Sequence, residues 1–193
     1  MPSSGSTPSP SGDAPIRLLV HVVGDDHARA CTGRRLIRGG WARQVPRLEG
    51  VRPAPVVLDP FADEPLSRRD RATARRGGLL VIDCSWNVLS ERGGFPTSGR
   101  GSARDHRRRL PWLIAANPQH YGRLGELNTV EALAAALRVL GWDHQARSLL
   151  GGAAGGAAFL EINAERLDRY ATAPDGVAVR SEERELFGST PGP

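Results

Sequence analysis

Lysine is missing altogether from this chain of 193 residues. All 26 basic residues are arginine, and against 21 acidic residues they leave a net charge of +5. Arginine makes planar, bidentate contacts with phosphate and stacks on bases, so the excess favours a nucleic-acid partner. A general compositional bias toward arginine would give the same count without one. Cysteine is almost as scarce: Cys31 and Cys84 are the only two, 53 positions apart. That spacing excludes a disulfide framework and a zinc motif and fits two reduced thiols in the cytoplasm. His27 precedes Cys31 by one helical turn, but no second ligand pair accompanies them, so no metal is expected. No apolar run reaches the roughly 18 residues a membrane-spanning helix needs. Residues 1–13 are rich in Ser, Pro and Gly and lack the apolar core of a signal peptide; a disordered tail over 1–14 is expected. There is no internal repeat. At 39% hydrophobic and 24% charged, the rest reads as an ordinary globular chain of one domain, or two sharing a core.

The apolar residues place the elements. Ile16–Val23 reads as a buried strand, Val56-Val57-Leu58 as a short second one, and Leu79–Ile82 as a third, with Asp83 at its carboxyl end. Ligands of open α/β sheets bind at that end. Ser67–Arg76 is polar and helix-competent, and Gly77-Gly78 ends it. Ser85–Arg92 suits a short helix before a Gly/Ser/Pro loop over 95–102. From Asn128 the chain turns helical: Asn128 and Glu131 form a capping-box variant, Val130, Leu133, Ala134, Leu137 and Leu140 follow a 3.6-residue period, and Gly141 closes the helix. Asp143–Leu150 and Phe159–Tyr170 read as two more helices, the second the last. Gly151–Ala158, all Gly and Ala, permits close backbone packing or mobility. The resulting division is a tail over 1–14, an α/β part over 15–103, a helical part over 104–172 and a flexible tail over 173–193.

At the junction of the two parts lies Leu110–Gly122, a short apolar run ending in Asn117-Pro118 and Gly122. Pro118 forces Asn117 out of the helical region, so the run ends in a shaped loop rather than a longer helix, and such loops on rigid scaffolds carry function. Arg100, Arg104, Arg107, Arg108 and Arg109 crowd the positions just before it, either a solvated face or an RNA contact. Two other pieces can converge there. Cys31-Thr32-Gly33 with Arg34 and Arg35 can open a helix whose free N–H groups and Thr hydroxyl bind a carboxylate. Asp83-Cys84-Ser85-Trp86 sits at a strand end.

These segments, with Arg109-Leu110-Pro111, Ala115-Ala116-Asn117-Pro118, Tyr121-Gly122-Arg123 and Leu127 through Glu131-Ala132, resemble the small-subunit ribosomal RNA aminocarboxypropyltransferases. The likeness runs in order from about Ile16 to Tyr170. It implies an α/β amino-terminal domain and a mainly helical carboxy-terminal domain in a SPOUT-like trefoil-knotted architecture, which sequence rules alone would disfavour. It further implies a cytoplasmic, monomeric enzyme of ribosome biogenesis. Such an enzyme moves the 3-amino-3-carboxypropyl group of S-adenosylmethionine to N-3 of a (1-methyl)pseudouridine in small-subunit RNA or a pre-ribosomal particle. Thr32, helped by the Thr129 backbone, would hold the cofactor carboxylate. Leu58, Pro60, Leu127 and Ala132 would line the adenine pocket, the Ile82 carbonyl would take the ribose hydroxyls, and the Leu110 amide with the Gly125 carbonyl would read the adenine edge. Trp86, with Leu89, would cover the methyl group. Burying the methyl against an indole leaves the aminocarboxypropyl carbon facing the nucleophile, and the indole face favours the sulfonium.

The acceptor imide nitrogen is mostly protonated at neutral pH, so a carboxylate base helps, and Asp83 is the candidate. Arg34, Arg35, Arg104, Arg107, Arg108, Arg109 and Arg123 are the candidate RNA contacts. Each residue also has a plainer reading: Trp86 or Tyr121 as core, Thr32, Asp83 or Asn117 as caps. Two other functions compete, a SAM-dependent RNA methyltransferase and a noncatalytic RNA-binding assembly module. The chain departs from the family pattern at Gly155-Gly156, where an aromatic-Gly pair is usual, at Leu66-Ser67-Arg68 instead of Leu-Ser-Pro, in the longer loop 93–102, and at Gly125, where a bulky residue is common.

Overall fold

A computed structural model of the chain describes residues 14–23, 32–48, 50–84 and 106–188. Five strands, β1 (Leu18–Val22), β2 (Arg43–Gln44), β3 (Val56–Leu58), β4 (Leu79–Asp83) and β5 (Arg107–Arg108), form one sheet in the order β2-β1-β4-β3-β5, and every pairing is parallel. The three central strands are apolar at nearly every position because both faces of the sheet are covered. Leu18, Val20, Val56, Leu58, Leu79 and Val81 point into the main core, while Leu19, Val57, Leu80 and Ile82 pack with Val45 on the opposite face. The pairs Leu58↔Val81 and Leu58↔Arg108 put the carboxyl ends of β4, β3 and β5 side by side.

Seven helices are described: α1 (Thr32–Arg38), α2 (Arg71–Gly77, after a 3-10 turn at Arg68–Asp70), α3 (Thr129–Leu140), α4 (Asp143–Leu150), α5 (Gly156–Ile162), α6 (Ala164–Thr172) and α7 (Gly176–Phe187). The central one is α3, whose Leu133–Leu137 are all inaccessible to solvent. It packs on β4, α1, α4 and α6, so residues of both expected parts enter one hydrophobic core. Its ends are as the sequence indicates: the Asn128 side chain accepts from the Glu131 amide, the Glu131 carboxylate accepts from the Asn128 amide, and Gly141 takes a left-handed conformation at φ 85°. None of the described helices is long and apolar enough to cross a membrane.

Several expectations need correction. Residues 173–193 are not a flexible tail as a whole, because most of the segment is helix α7. Asp175 caps it by accepting from the amides of Val177 and Ala178, and Val179 and Glu183 are fully buried. Phe159–Tyr170 is not one helix. It breaks at Asn163, whose wholly buried side chain bonds both the amide and the carbonyl of Ile114 and also the Phe159 carbonyl. Two hydrogen bonds to another part of the chain and one to its own helix outweigh one continued helical turn. The Gly/Ala run serves close packing: a Cβ on Gly155, at φ +80°, would stand 2.3 Å from the Ala116 carbonyl oxygen, and one on Gly156 would stand 2.3 Å from that of Leu150. Strand β2 and the arginine strand β5 go unannounced by any apolar pattern. The expected helix at 85–92 and loop at 95–102 lie outside the described residues, as do Met1–Asp13.

Tyr170 illustrates how tightly α6 is held. Its ring is inaccessible and its hydroxyl donates to the Trp112 carbonyl at 3.2 Å. Burial, reinforced by the nearby Glu183 carboxylate, holds the phenol well above its ordinary ionisation range. The folded state therefore keeps the proton that the unfolded chain loses above about pH 10. Stability is intact below that pH and declines as pH rises past it toward the folded value. Tyr170→Phe is expected to cost about 1 kcal/mol at neutral pH through the lost hydrogen bond and to flatten the alkaline decline. Urea unfolding of both proteins at neutral and alkaline pH measures this; equal alkaline slopes would refute it.

Candidate active site

The expected site residues gather where the parallel strands end. In the β3–β4 ladder the Val56 amide donates to the Gly78 carbonyl, and the register repeats this every two residues. The next donors along β3 would be Leu58 and then residue 60. Residue 60 is proline, which has no N–H. The Ile82 carbonyl, aimed at that position, therefore loses its ladder donor. Two residues past Arg108 on the neighbouring β5 side comes Leu110, half-buried, whose amide donates to no acceptor among the described residues. An acceptor and a donor that have no partner among the described residues thus stand on the two sides of β3, at the ends of β4 and β5, in a region where Leu58, Ile82 and Leu127 are buried and Ala132 is half-buried. Pro60 itself is exposed.

Asp83 joins the amino ends of two helices. One carboxylate oxygen accepts from the Gly33 amide of α1 at 3.1 Å and the other from the hydroxyl of Thr129, the first residue of α3. Gly33 is required by this closeness, since a Cβ there would lie 2.6 Å from that Asp83 oxygen and 2.8 Å from Val20. Of the N–H groups expected to be free for a ligand carboxylate, that of Gly33 is thus already in use. Thr32 stands half-buried beside it and Thr129 is 8% exposed.

The segment from Leu110 to Thr129 is built from inside. Its paired turns link Ala115 to Arg123, Gly122 to Ala115, and Gly125 to Leu113. At the base, the buried Glu131 carboxylate accepts from the Ala116 amide at 2.8 Å, the Asn117 side-chain amide at 2.7 Å and the Asn128 amide at 2.9 Å. Asn117 in turn accepts from the His120 amide. Gly125 has φ +78°, and a Cβ on it would come within 2.9 Å of the Trp112 ring, so this chain has no room for the bulkier residue usual in the family. The Gly125 carbonyl accepts from the Leu127 amide, and its second lone pair is still available to a ligand. Tyr121, weighed as a core aromatic, is 65% exposed.

Three arginines of the run expected as RNA contacts, Arg107, Arg108 and Arg109, hold carboxylates of the fold instead of standing free. Arg107 reaches Asp59 at 2.5 Å, Arg108 reaches Asp70 at 2.9 Å, and Arg109 grips both oxygens of Glu183 at 2.6 and 2.8 Å. All three carboxylates are buried. Glu183 also accepts from the Trp112 amide, fixing the chain just past Leu110. Buried charges need such partners, and so these arginines are turned inward. No local signal marked Asp59, Asp70 or Glu183 as their partners, since each lies 38 or more residues away in sequence. Of the other candidate RNA contacts, Arg35 is exposed, Arg34 is half-buried, and Arg123 is exposed beside Glu126. Arg104, Trp86 and Leu89 lie outside the described residues.

A parallel α/β sheet whose strand ends leave one carbonyl and one amide without a partner among the described residues places its candidate site where open α/β folds take their ligands. Its relatives narrow the class. Residues 56–187 match the family described as "Ribosome biogenesis protein, C-terminal". A 16S rRNA aminocarboxypropyltransferase of Methanopyrus kandleri is 40% identical over 88% of this chain and 98% of its own length. An 18S rRNA aminocarboxypropyltransferase of Schizosaccharomyces pombe is 36% identical over 90% of this chain and 58% of its own length. The solved SAM-dependent rRNA:acp-transferase Tsr3 of Vulcanisaeta distributa superposes with a TM-score of 0.78 at 37% identity, covering 90% of this chain and 89% of that one. The chain belongs to this family of rRNA aminocarboxypropyltransferases.

Proposed function

We propose that this chain transfers the 3-amino-3-carboxypropyl group of S-adenosylmethionine to small-subunit ribosomal RNA during ribosome biogenesis, acting as a monomer in the cytoplasm on N-3 of a (1-methyl)pseudouridine. The observation that carries the reading is the Ile82 carbonyl and the Leu110 amide at the strand ends, both left without partners among the described residues. A ribose diol and an adenine edge supply the donor and acceptor those groups lack. The trefoil knot, and a division of labour between a cofactor-binding part over 15–103 and a helical part over 104–172, belong to the same proposal.

When bound, S-adenosylmethionine supplies a sulfonium whose aminocarboxypropyl carbon is open to attack. Leu58, Pro60, Leu127 and Ala132 enclose the adenine, and the Gly125 carbonyl joins the Leu110 amide on its edge. Thr32 and the Thr129 backbone hold the carboxylate. Trp86 shields the methyl group. Asp83, at the strand end between the two helix starts, takes the N-3 proton of the acceptor base.

The test is incubation of small-subunit RNA with cofactor labelled in its carboxyl carbon, followed by mass analysis of the nucleosides. A nucleoside heavier by one aminocarboxypropyl group is expected. A gain of one methyl would make the chain a methyltransferase, and no cofactor binding by calorimetry at millimolar concentration would make it a noncatalytic assembly module. Trp86→Ala gives a second readout: uncovering the methyl is expected to raise the share of methylated product. A product ratio unchanged from the parent would take the shielding role away from Trp86.

A further inference from the structure

With Arg107, Arg108 and Arg109 turned inward, the RNA must find other cations. Helix α1 and the edge strand β2 offer them at the opposite end of the sheet from Asp83. Trp41 is 46% exposed, an unusual placement for so large an apolar ring. It borders a hollow of about 480 Å³ together with Pro15, Ile16, Arg17, Ala42, Arg43 and others, and among the described residues no acidic one lines it. Arg38, in the last turn of α1, Arg43, on the edge strand, and Arg47, just beyond it, are all exposed. None of these three holds a carboxylate among the described residues. Elsewhere the fold pairs its arginines readily, as Arg138, Arg169 and Arg180 show.

Hydrogen bonds tie down the backbone around the hollow. The Trp41 amide is tied to the Leu36 carbonyl at the end of α1. Gln145 bonds both the amide and the carbonyl of Ile16, and the Arg17 guanidinium donates to the carbonyls of Gly77, Arg52 and Pro53. An exposed indole beside guanidinium groups that hold no carboxylate among the described residues is the arrangement that holds a single strand of nucleic acid, with a base stacked on the ring and phosphates met by arginine. Acidic peptides would satisfy the charges but leave the exposed ring and the apolar floor without a use.

We propose that the hollow centred on Trp41, with Arg38 and Arg43, is a second RNA-binding surface that grips an unpaired stretch of the substrate RNA away from the reacting nucleotide. The pairing Leu18↔Leu79 through Val22↔Asp83 spans four residues, so the hollow lies about 13 Å down the sheet from Asp83 at ~3.3 Å per residue. A strand anchored there can present its neighbour to the site while the chemistry stays at the other end. The proposal rests on the RNA-modifying function above, but its test does not require turnover.

The probe is a fluorescent oligouridylate titrated into the full chain, with anisotropy and tryptophan quenching as readouts. Trp41→Ala is expected to weaken binding about tenfold and to abolish most of the quenching, while Trp41→Phe keeps most of the affinity. Arg38→Gln and Arg43→Gln should each lower the slope of log affinity against log salt by about 0.7. Calorimetric binding of S-adenosylmethionine and the thermal midpoint should be unchanged in all of them. Parent-like affinity and salt slope in these variants would overturn the surface, including the case in which the hollow receives a protein instead. Failure of the parent chain to modify RNA would overturn the function while leaving this binding result to stand by itself.

Discussion

Asp83→Asn is expected to lower aminocarboxypropyl transfer by about 10²–10⁴-fold, the range that general-base groups contribute, while S-adenosylmethionine still binds. The asparagine keeps the shape of the carboxylate and one acceptor oxygen. The Gly33 amide, which can only donate, retains that oxygen. The Thr129 hydroxyl can turn from donating to accepting and meet the new NH₂ group. The link between α1 and α3 therefore survives in Asp83→Asn, and only the capacity to take a proton is lost. Asp83→Ala removes both. Comparing the two variants separates the functions: cofactor affinity should fall in the alanine variant alone, and single-turnover rates should fall in both. Turnover at the parent rate in Asp83→Asn would remove Asp83 from the chemistry and leave it as a cross-link.

The second large effect is on stability. Glu131→Ala takes away the acceptor shared by the Ala116, Asn117 and Asn128 donors. Two of these donors are deeply buried, and a buried donor left unmade costs about 1–3 kcal/mol, so a loss of about 2–6 kcal/mol is expected. For a chain of this length that lowers the thermal midpoint by on the order of 10 °C. The loop carrying Gly125 and Leu127 loses its base at the same time, so cofactor affinity should drop with stability. Glu131→Gln, which can still accept from two of the donors, should fall between the variant and the parent. Calorimetric unfolding of the three proteins gives the order directly, and an alanine variant as stable as the parent would mean that water replaces the carboxylate.

The elements that were legible in the chain are those whose cause is local. Strands β3 and β4 are short apolar runs bounded by Pro and Gly, and α3 carries its cap, its period and its terminating glycine within fourteen positions from Asn128 to Gly141. What stayed hidden has a distant cause. The break at Asn163 follows no proline or glycine; it is set by Ile114, 49 residues earlier. Strand β5 is two arginines, and local rules assign such a pair to solvent. Only the folded chain brings Asp59, Asp70 and Glu183 to meet them. The site shows the same division. Thr32 and Asp83 could be named from their motifs, and Thr129 and Pro60 only through the family resemblance. That Pro60 also frees the Ile82 carbonyl required the strand register, which no single segment contains. Helix α7 was within reach, since Asp175 before a helix-competent run is an ordinary cap; the Pro and Gly on either side of the run obscured it.

The grip of Glu183 on Arg109 has a bearing on the order of synthesis. The counter-charge for Arg109, and the acceptor for the Trp112 amide, are made 74 and 71 residues later. Until α7 has emerged and docked, a guanidinium at the margin of the cleft is unmatched and the turn after Leu110 has no anchor. A nascent chain with its sheet already paired would thus still be unfit to hold its cofactor. Competence would come as one late event, once α7 has left the ribosome.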